Sequence, residues 1–416
     1  MAWKPTRREF LLITGAASLT FPFSGRGEER QAVKVIVNPY EAVDWETFKH
    51  HKAALHLHTL QSDGFQMPDR VIRGYRRAGY DIMAISDHDF FEPNRQVVAG
   101  NLPEEAASPY PEEPLPDNYP ANPTWPWSDY GSEDPPALDM VGIVSNELTG
   151  RHHINSYFND FGLWKENGTA DADGNPMWED DIIEAVRERN GLAILDHPWW
   201  SSPPTWERRP LDWYIERYLT NSPDCLVGIE VTNCGAQHES YDEGLWDQLL
   251  VRFMPNRPIW GFGTDDMHHL DRARESYSVF VLPELTSASA RQAMATGQFY
   301  FCKSSHHLDY TQEDPDRIAF PRIEAIEVDD AGETIQIHGQ DYDQIAWISA
   351  PVSLEPVDDY QTSDEPWPQG EVVHFGETLN IRDTPYIRNY VRAELRRSDD
   401  KGTHRTFTNP FGIEMA

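Results

Sequence analysis

The sequence predicts an α/β fold, a parallel barrel or open sheet of β-α units followed by a small antiparallel β-sandwich. Three observations predict it. Between Leu55 and Phe301 short apolar runs alternate with helical patterns, as in repeated β-α units. Histidine, aspartate and glutamate recur just after those runs, at the strand edge where β/α barrels hold their sites. After about Lys303 the helical patterns stop, and strand-like stretches alternate with turns to the C-terminus.

Residues 1–30 form an expected export signal and linker. Thr6-Arg7-Arg8-Glu9-Phe10-Leu11-Leu12 precedes an apolar run that ends near Leu19, short for a membrane span and flanked by basic residues. The Arg-Arg-x-Phe-Leu core resembles a bacterial twin-arginine signal. That resemblance implies export by the twin-arginine machinery, a periplasmic or extracellular location, and no membrane span in the mature protein. Gln31 to Lys52 is a connecting arm with a short strand at Val33 to Val37.

The central stretch runs from Leu55 to Asp89. Ala53-Ala54-Leu55 leads into His56-Leu57-His58, and residues at i and i+2 on a strand share a face. Imidazole is the commonest protein ligand for transition metals, so this pair presents two ligands together. Pro68 to Ala78 is a helix with proline at its start and Gly79 at its stop. Tyr80 to Ile85 is a second strand, ending in Ser86-Asp87-His88.

Residues 91–140 carry much proline and acid, with Tyr110, Tyr119, Trp125, Trp127 and Tyr130, and show no sustained period. They are an insertion, either a substrate lid or wall or a packed loop. Alternation then resumes within a barrel domain placed at 50–305. The strand Met140 to Ser145 delivers Asn146-Glu147-Leu148-Thr149, followed by Arg151-His152-His153-Ile154-Asn155. Helix Glu179 to Arg189 precedes strand Leu192 to Leu195 and Asp196-His197-Pro198-Trp199-Trp200. Helix Leu211 to Leu219, strand Leu226 to Val231, helix Tyr241 to Phe253 and strand Ile259 to Gly263 lead to Thr264-Asp265-Asp266-Met267-His268. Strand Tyr277 to Leu282, helix Ser287 to Thr296 and strand Gln298 to Phe301 close the run. The sandwich is placed at 315–416, packed on the barrel edge.

Composition narrows the function. Acidic residues number 69 against 35 basic ones, for a net charge of -34, and no long basic run is present to track a phosphate backbone. Stable nucleic-acid binding is therefore not expected, and a polyanion would be repelled unless metal ions reverse the local field. The three cysteines form no Cys-x-x-Cys pair. Free buried thiols are the favoured reading, and a Cys225–Cys234 disulfide in an oxidising compartment is the alternative. Gly-x-Ser-x-Gly and Walker motifs are absent.

Nine residues of ligand type remain at predicted strand ends: His56, His58, Asp63, His88, Glu147, His153, His197, Asp266 and His268. One buried histidine is ordinarily a core residue, and one aspartate a helix cap. Nine at one edge exceed the needs of a single metal and imply two or three, with a bridging carboxylate.

Taken together, His-x-His-Thr-x-x-Ser-Asp-Gly, Ser-Asp-His, Asn-Glu-x-Thr, His-x-Asn, Asp-His-Pro and Asp-x-His resemble the polymerase and histidinol phosphatase (PHP) metallohydrolase family. Thr264-Asp265-Asp266-x-His268, Tyr390-x-Arg392-x-Glu394 and Thr408-Asn409-Pro410 are similar to the branch named for carbaryl hydrolase. The resemblance implies a distorted (β/α)7 barrel binding two to three divalent ions (manganese, iron or zinc). It implies that His56, His58, Glu147 and Asp266 hold a first metal. Glu147, His153 and His197 hold a second, and Asp63, His88 and His268 a third; some family members carry histidine where Asp63 falls. His-x-Asn favours His153 over His152, and the i, i+2 relation to His268 favours Asp266 over Asp265. Asp87 is expected to orient a ligand.

The function so implied is hydrolysis of a small-molecule substrate by water activated between metals. Phosphate esters are the first expectation, and amides, carbamates or esters the alternative. Glu147, Asp266 and His268 carry the chemistry, with Asp265, Asp87 or His152 as candidate proton donors. Arg151 binds an anionic substrate group or forms a surface ion pair, and Trp199 and Trp200 stack on a ring or lie in the core. A non-catalytic binding protein on a decayed barrel is the third reading, opposed by retention of all nine ligands.

Overall fold

The ends of the strands, and where each finds its partner, determine what the site is made of. The computed structural model describes residues 33–89, 135–162, 169–171, 173–199, 208–233, 239–270, 275–304, 320–350, 360–363, 366–400 and 402–415. The expected signal and almost all of the 91–140 insertion lie outside these residues. So do Trp200 and Cys234.

In chain order the elements begin with β1 (Val33–Val37), β2 (Lys49–Ala54), α1 (Pro68–Arg77), β3 (Tyr80–Met83), β4 (Val141–Gly142), β5 (Ser145–Thr149) and β6 (His153–Tyr157). Next come α2 (Glu179–Glu188), β7 (Leu192–Leu195), α3 (Leu211–Thr220), β8 (Leu226–Thr232), α4 (Glu239–Phe253) and β9 (Trp260–Gly263). They are followed by β10 (Ser276–Leu282), α5 (Ser287–Thr296), β11 (Phe299–Ser304), β12 (Arg322–Asp329), β13 (Thr334–Gln340) and β14 (Gln344–Ser349). The chain closes with β15 (Glu371–Phe375), β16 (Thr378–Asn380), β17 (Tyr390–Asp399), β18 (Gly402–Thr408) and β19 (Phe411–Met415).

The architecture is mixed α/β, and its pairing differs from a uniformly parallel ring. Among the described residues the strands fall into three sheets: a large one running β1-β19-β17-β18-β11-β10-β2-β3-β4, a five-stranded one running β5-β6-β7-β8-β9, and a small β12-β13-β16 sheet. Parallel ladders join β2 to β3, β3 to β4, β7 to β8 and β8 to β9. The other ladders in this half are antiparallel, because β5 and β6 form a hairpin, β6 runs against β7, and β10 runs against both β2 and β11. Strands buried on both faces need no polar alternation, which is why β7 to β9 are apolar runs. Every residue of β8 is buried, including Glu230.

Local signals hold where local chemistry decides. Proline opens α1, and Gly79 ends its turn at a positive φ of 78°. Thr286 caps α5 by accepting from the Ser289 amide at 3.2 Å, and Gly297 closes it at φ 74°.

The C-terminal strands continue the large sheet through main-chain pairing. β18 pairs antiparallel with β11 from Tyr300–Thr408 to Ser304–His404, and β19 pairs with the N-terminal strand β1. From Val33 onward the chain forms one compact unit. Arg392 donates two bonds of 2.9 Å to Asp247 of α4, which also accepts from Tyr390 at 2.8 Å. Arg405 bonds both Glu243 of α4 and Glu394. Asn409 accepts from the Gly261 amide of β9 at 2.9 Å and donates to the Gly297 and Phe299 carbonyls. The Tyr-x-Arg-x-Glu and Thr-Asn-Pro segments thus tie the last strands to α4 and β9.

Removing one partner of a buried ion pair strands the other charge. Arg392→Ala is expected to destabilise the protein by about 3–5 kcal/mol in urea unfolding. A loss below about 1 kcal/mol would show that this pair is not the tie.

Candidate metal centre

Two short parallel contacts assemble most of the centre. Leu57 bridges Met267, with the His58 amide donating to the Met267 carbonyl at 2.8 Å. The bridge brings His56 and His58 against Asp266 and His268, while Leu57 and Met267 are buried in the core. A second bridge sets His88 beside Glu147. The β5–β6 hairpin pairs Thr149 with His153, which brings His153 diagonally onto Glu147. His197 follows β7, next in the same sheet.

Glu147 is 1 % exposed and its two oxygens face different histidines. Oε1 lies 2.5 Å from His153 Nδ1 and 2.9 Å from His197 Nε2. Oε2 lies 3.3 Å from His56 Nε2, 3.2 Å from His58 Nε2 and 3.3 Å from His88 Nδ1. Asp266 Oδ1 completes the second set, 3.3 Å from His56 Nε2 and 3.1 Å from His58 Nε2. Asp63 collects the remaining side chains, with His58 Nδ1 at 3.3 Å, His88 Nε2 at 3.5 Å and His268 Nε2 at 3.2 Å. All nine sequence-predicted ligands therefore converge. The third group is the open one: Asp63 is half-exposed, whereas His56 is fully buried.

The donor set fits divalent metal. Ligands at about 2.0–2.2 Å from a common cation are about 3.0–3.5 Å from one another, the spacing found around Glu147 Oε2 and Asp266. The buried Nε2 atoms of His56 and His58 accept or donate no hydrogen bond, although they face two carboxylates. Four overlapping groups of ligand atoms contain all nine residues: His58-Asp63-His88-His268, His56-His58-Glu147, His56-His197-Asp266 and His88-Glu147-His153.

Electrostatics points the same way. Burial alone would lower the pKa of His56, but Glu230, Asp266 and Glu147 raise it well above the usual histidine range. His58 is raised likewise, against burial, by Asp63, Asp266 and Glu147. Burial pushes the Glu147 carboxyl up, and His153, His88 and His56 together hold it well below its ordinary value. For His153 burial prevails and its pKa is lowered in spite of Glu147. The carboxylates thus favour positive charge on the buried histidines, a charge that a bound cation can supply in place of protons.

Two ligands sit on strained backbone. His197 has φ 21° and Asp266 φ 47°, a region that costs a residue with a side chain about 1–3 kcal/mol. Gly64 is needed for a different reason. A Cβ there would lie 2.5 Å from the His58 carbonyl carbon and 2.6 Å from the Thr59 amide, so only glycine lets the Asp63 loop fold back over His58.

The other candidates have different partners. Asp87 accepts from the Thr59 amide and hydroxyl at 2.6 Å each and from Ser62 at 2.7 Å, so it braces the loop beside His58 and bonds none of the nine ligands directly among these contacts. Asp265 accepts from Tyr75 and the Ser276 amide, and His152 is buried against Trp213 and Tyr214. These contacts tie all three candidate proton donors into the surrounding structure. Arg151 stacks 3.6 Å over the Trp178 ring and donates to the Pro176 carbonyl, contacts that hold it to the α2 entry. Trp199 is partly buried against the core, with Arg208 stacked on it at 4.6 Å. Cys225 and Cys302 are free buried thiols.

Two buried carboxylates were missed in the sequence. Glu230 accepts from His56 Nδ1, and its only sequence signal is one charge inside the apolar run of β8. Asp196 is fully buried beside His56 and Glu230, and neither of its oxygens accepts a hydrogen bond.

No protein-family model and no curated protein matches this chain. Among solved structures it is similar to a two-domain protein from Bacteroides vulgatus containing a predicted PHP-like metal-dependent phosphoesterase, at 16% identity and TM-score 0.45, covering 92% of this chain and 100% of that one. A lesion-specific endonuclease from Pyrococcus furiosus matches at 12% identity and TM-score 0.34, over 59% of this chain and 56% of that one. An amidohydrolase from Chromobacterium violaceum matches at 14% identity and TM-score 0.30, over 52% of this chain and 87% of that one. These likenesses are too distant to assign an activity. Among the described residues no helix is long and apolar enough to cross a membrane.

Asp196 gives a pH test. Burial, with Glu230 adding to it, raises its pKa well above the ordinary value, so the folded metal-free protein keeps a proton that the unfolded chain releases near pH 4. Stability therefore falls as pH rises through that interval. Asp196→Asn is expected to gain on the wild type from pH 4 upward, by at most about 1.4 kcal/mol per pH unit, in metal-free urea unfolding. A difference independent of pH would contradict the assignment.

Proposed function

We propose that the chain is an exported, multinuclear metal-dependent hydrolase of PHP type, in the branch named for carbaryl hydrolase, and that it cleaves phosphate esters. The observation that carries the reading is the split of Glu147, whose two oxygens serve two different groups of histidines. In this reading the two larger sheets are the halves of a distorted (β/α)7 barrel. Export rests on the Arg7-Arg8 motif, which places the mature protein in the periplasm or outside the cell.

His56, His58, Glu147 and Asp266 would hold one ion, and Glu147, His153 and His197 a second. Asp63, His88 and His268 would hold a third. Divalent cations bound there supply Lewis-acid polarisation and lower the pKa of water toward neutrality. The chain's own residues set the geometry. His268 Nδ1 donates to the Asp266 carbonyl at 3.0 Å, which leaves Nε2 facing Asp63 on the open side. A small ester enters there, next to Asp63 and His268, while the buried His56 and Glu147 keep the opposite side dry. The surrounding structure holds His197 and Asp266 in strained backbone, so both ligands are aimed before substrate arrives.

The test is hydrolysis of p-nitrophenyl phosphate, bis-p-nitrophenyl phosphate and 1-naphthyl carbamate by protein loaded with manganese, iron or zinc. Turnover of a phosphate ester is expected, reduced at least about 100-fold by Glu147→Gln and by His197→Ala. Turnover of the carbamate alone would move the centre to acyl chemistry. Metal retention without turnover of any ester or amide in a broad panel would favour a binding protein.

A further inference from the structure

We propose that Glu230 is a positioning residue shared by two metal positions, selecting the ring nitrogen that His56 presents and fixing the backbone that presents His197. The proposal rests on the reading of the cluster as a metal centre. It concerns a residue that lies outside the nine ligands.

Glu230 is fully buried in β8, the one charged residue of that strand. A carboxylate there is costly unless its lone pairs are filled, and here they are filled by four donors. Oε1 accepts from His56 Nδ1 at 2.7 Å and Thr264 Oγ1 at 2.7 Å. Oε2 accepts from the His197 amide at 2.8 Å and Asn233 Nδ2 at 2.7 Å.

Each bond has a consequence at the centre. A carboxylate only accepts, so His56 must carry its proton on Nδ1 and turn Nε2 toward Glu147 and Asp266. The partner at one ring nitrogen of a metal-binding histidine fixes its tautomer and orientation. The second oxygen takes the amide of His197, the residue held at φ 21°. Thr264 leads from β9 toward Asp266, so the ends of β2, β7 and β9 meet on one side chain.

Glutamine at this position keeps the shape but offers only one accepting atom. Its NH2 group must face either the His56 and Thr264 donors or the His197 and Asn233 donors, and one set loses its partner. A filler of the core would tolerate that change with the metals unaffected.

The experiment uses the full chain. Histidine 15N spectra are recorded metal-free and zinc-loaded, and zinc and manganese affinities are measured by calorimetry, for wild type and Glu230→Gln. In the wild type the metal-free spectrum is expected to show a His56 Nδ1 proton in a strong hydrogen bond. Glu230→Gln, a neutral and weaker acceptor, is expected to shift or erase that signal and to weaken metal binding about 10- to 100-fold at the position whose donors meet the new NH2 group. Unchanged His56 shifts together with unchanged affinities would overturn the proposal. Should Glu230→Gln fail to fold, Asn233→Ala, which withdraws one donor from Oε2, is expected to weaken the His197 position and leave the His56 shift in place. Unaltered affinity in that variant would overturn the shared role. The His56 signal is read without metal, so a wild type that binds no metal yet shows the Nδ1 proton would sink the metal reading and leave the hold of Glu230 on His56 standing.

Discussion

The structure depends on one buried carboxylate having no other work than to face five histidines. Glu147 is almost wholly excluded from water, and neither of its oxygens is spent on a main-chain donor at the strand that carries it. Desolvating a charge on this scale costs several kcal/mol unless neighbours compensate. Here the compensation is the ring of imidazoles, and it works only if the ends of β2, β3, β5 and β7 and the start of β6 come to the same level. The fold can be understood as the apparatus that makes them do so.

That apparatus has two tiers. Short parallel bridges deliver the ligands: one Leu57–Met267 bridge sets two pairs of side chains together, and one His88–Glu147 bridge sets another. Behind them, acceptor groups fix rings and loops. Glu230 engages His56, and Asp87 engages Thr59 and Ser62 around the His58 loop. Farther out, Asn409 and Arg392 connect the C-terminal strands to β9 and α4. These strands extend the sheet that contains β2, so the tail forms part of the wall behind the ligands.

Much of this was legible in the sequence because its periods are local. His56-x-His58 and Asp266-x-His268 announce a shared face, and Gly79 and Pro68 announce helix ends. The hairpin that places His153 was not foreseen as strand, because its turn, Gly150-Arg151-His152, carries no strong turn pair and its ligand sits at a strand start. Arg151 was ambiguous for a related reason: its contacts come from Trp178, distant in sequence. Sheet partners were not legible either. Nothing in β18 names β11, and nothing in the apolar run of β8 says that Glu230 faces inward to four donors.

The most direct measurement is anomalous X-ray diffraction from crystals of the full chain loaded with manganese. Strong peaks are expected on both sides of Glu147, one beside each carboxylate oxygen, with a further peak among Asp63, His88 and His268 when the third position fills. A single peak bound by one oxygen of Glu147, or strong peaks only elsewhere on the acidic surface, would contradict the bridging role of Glu147.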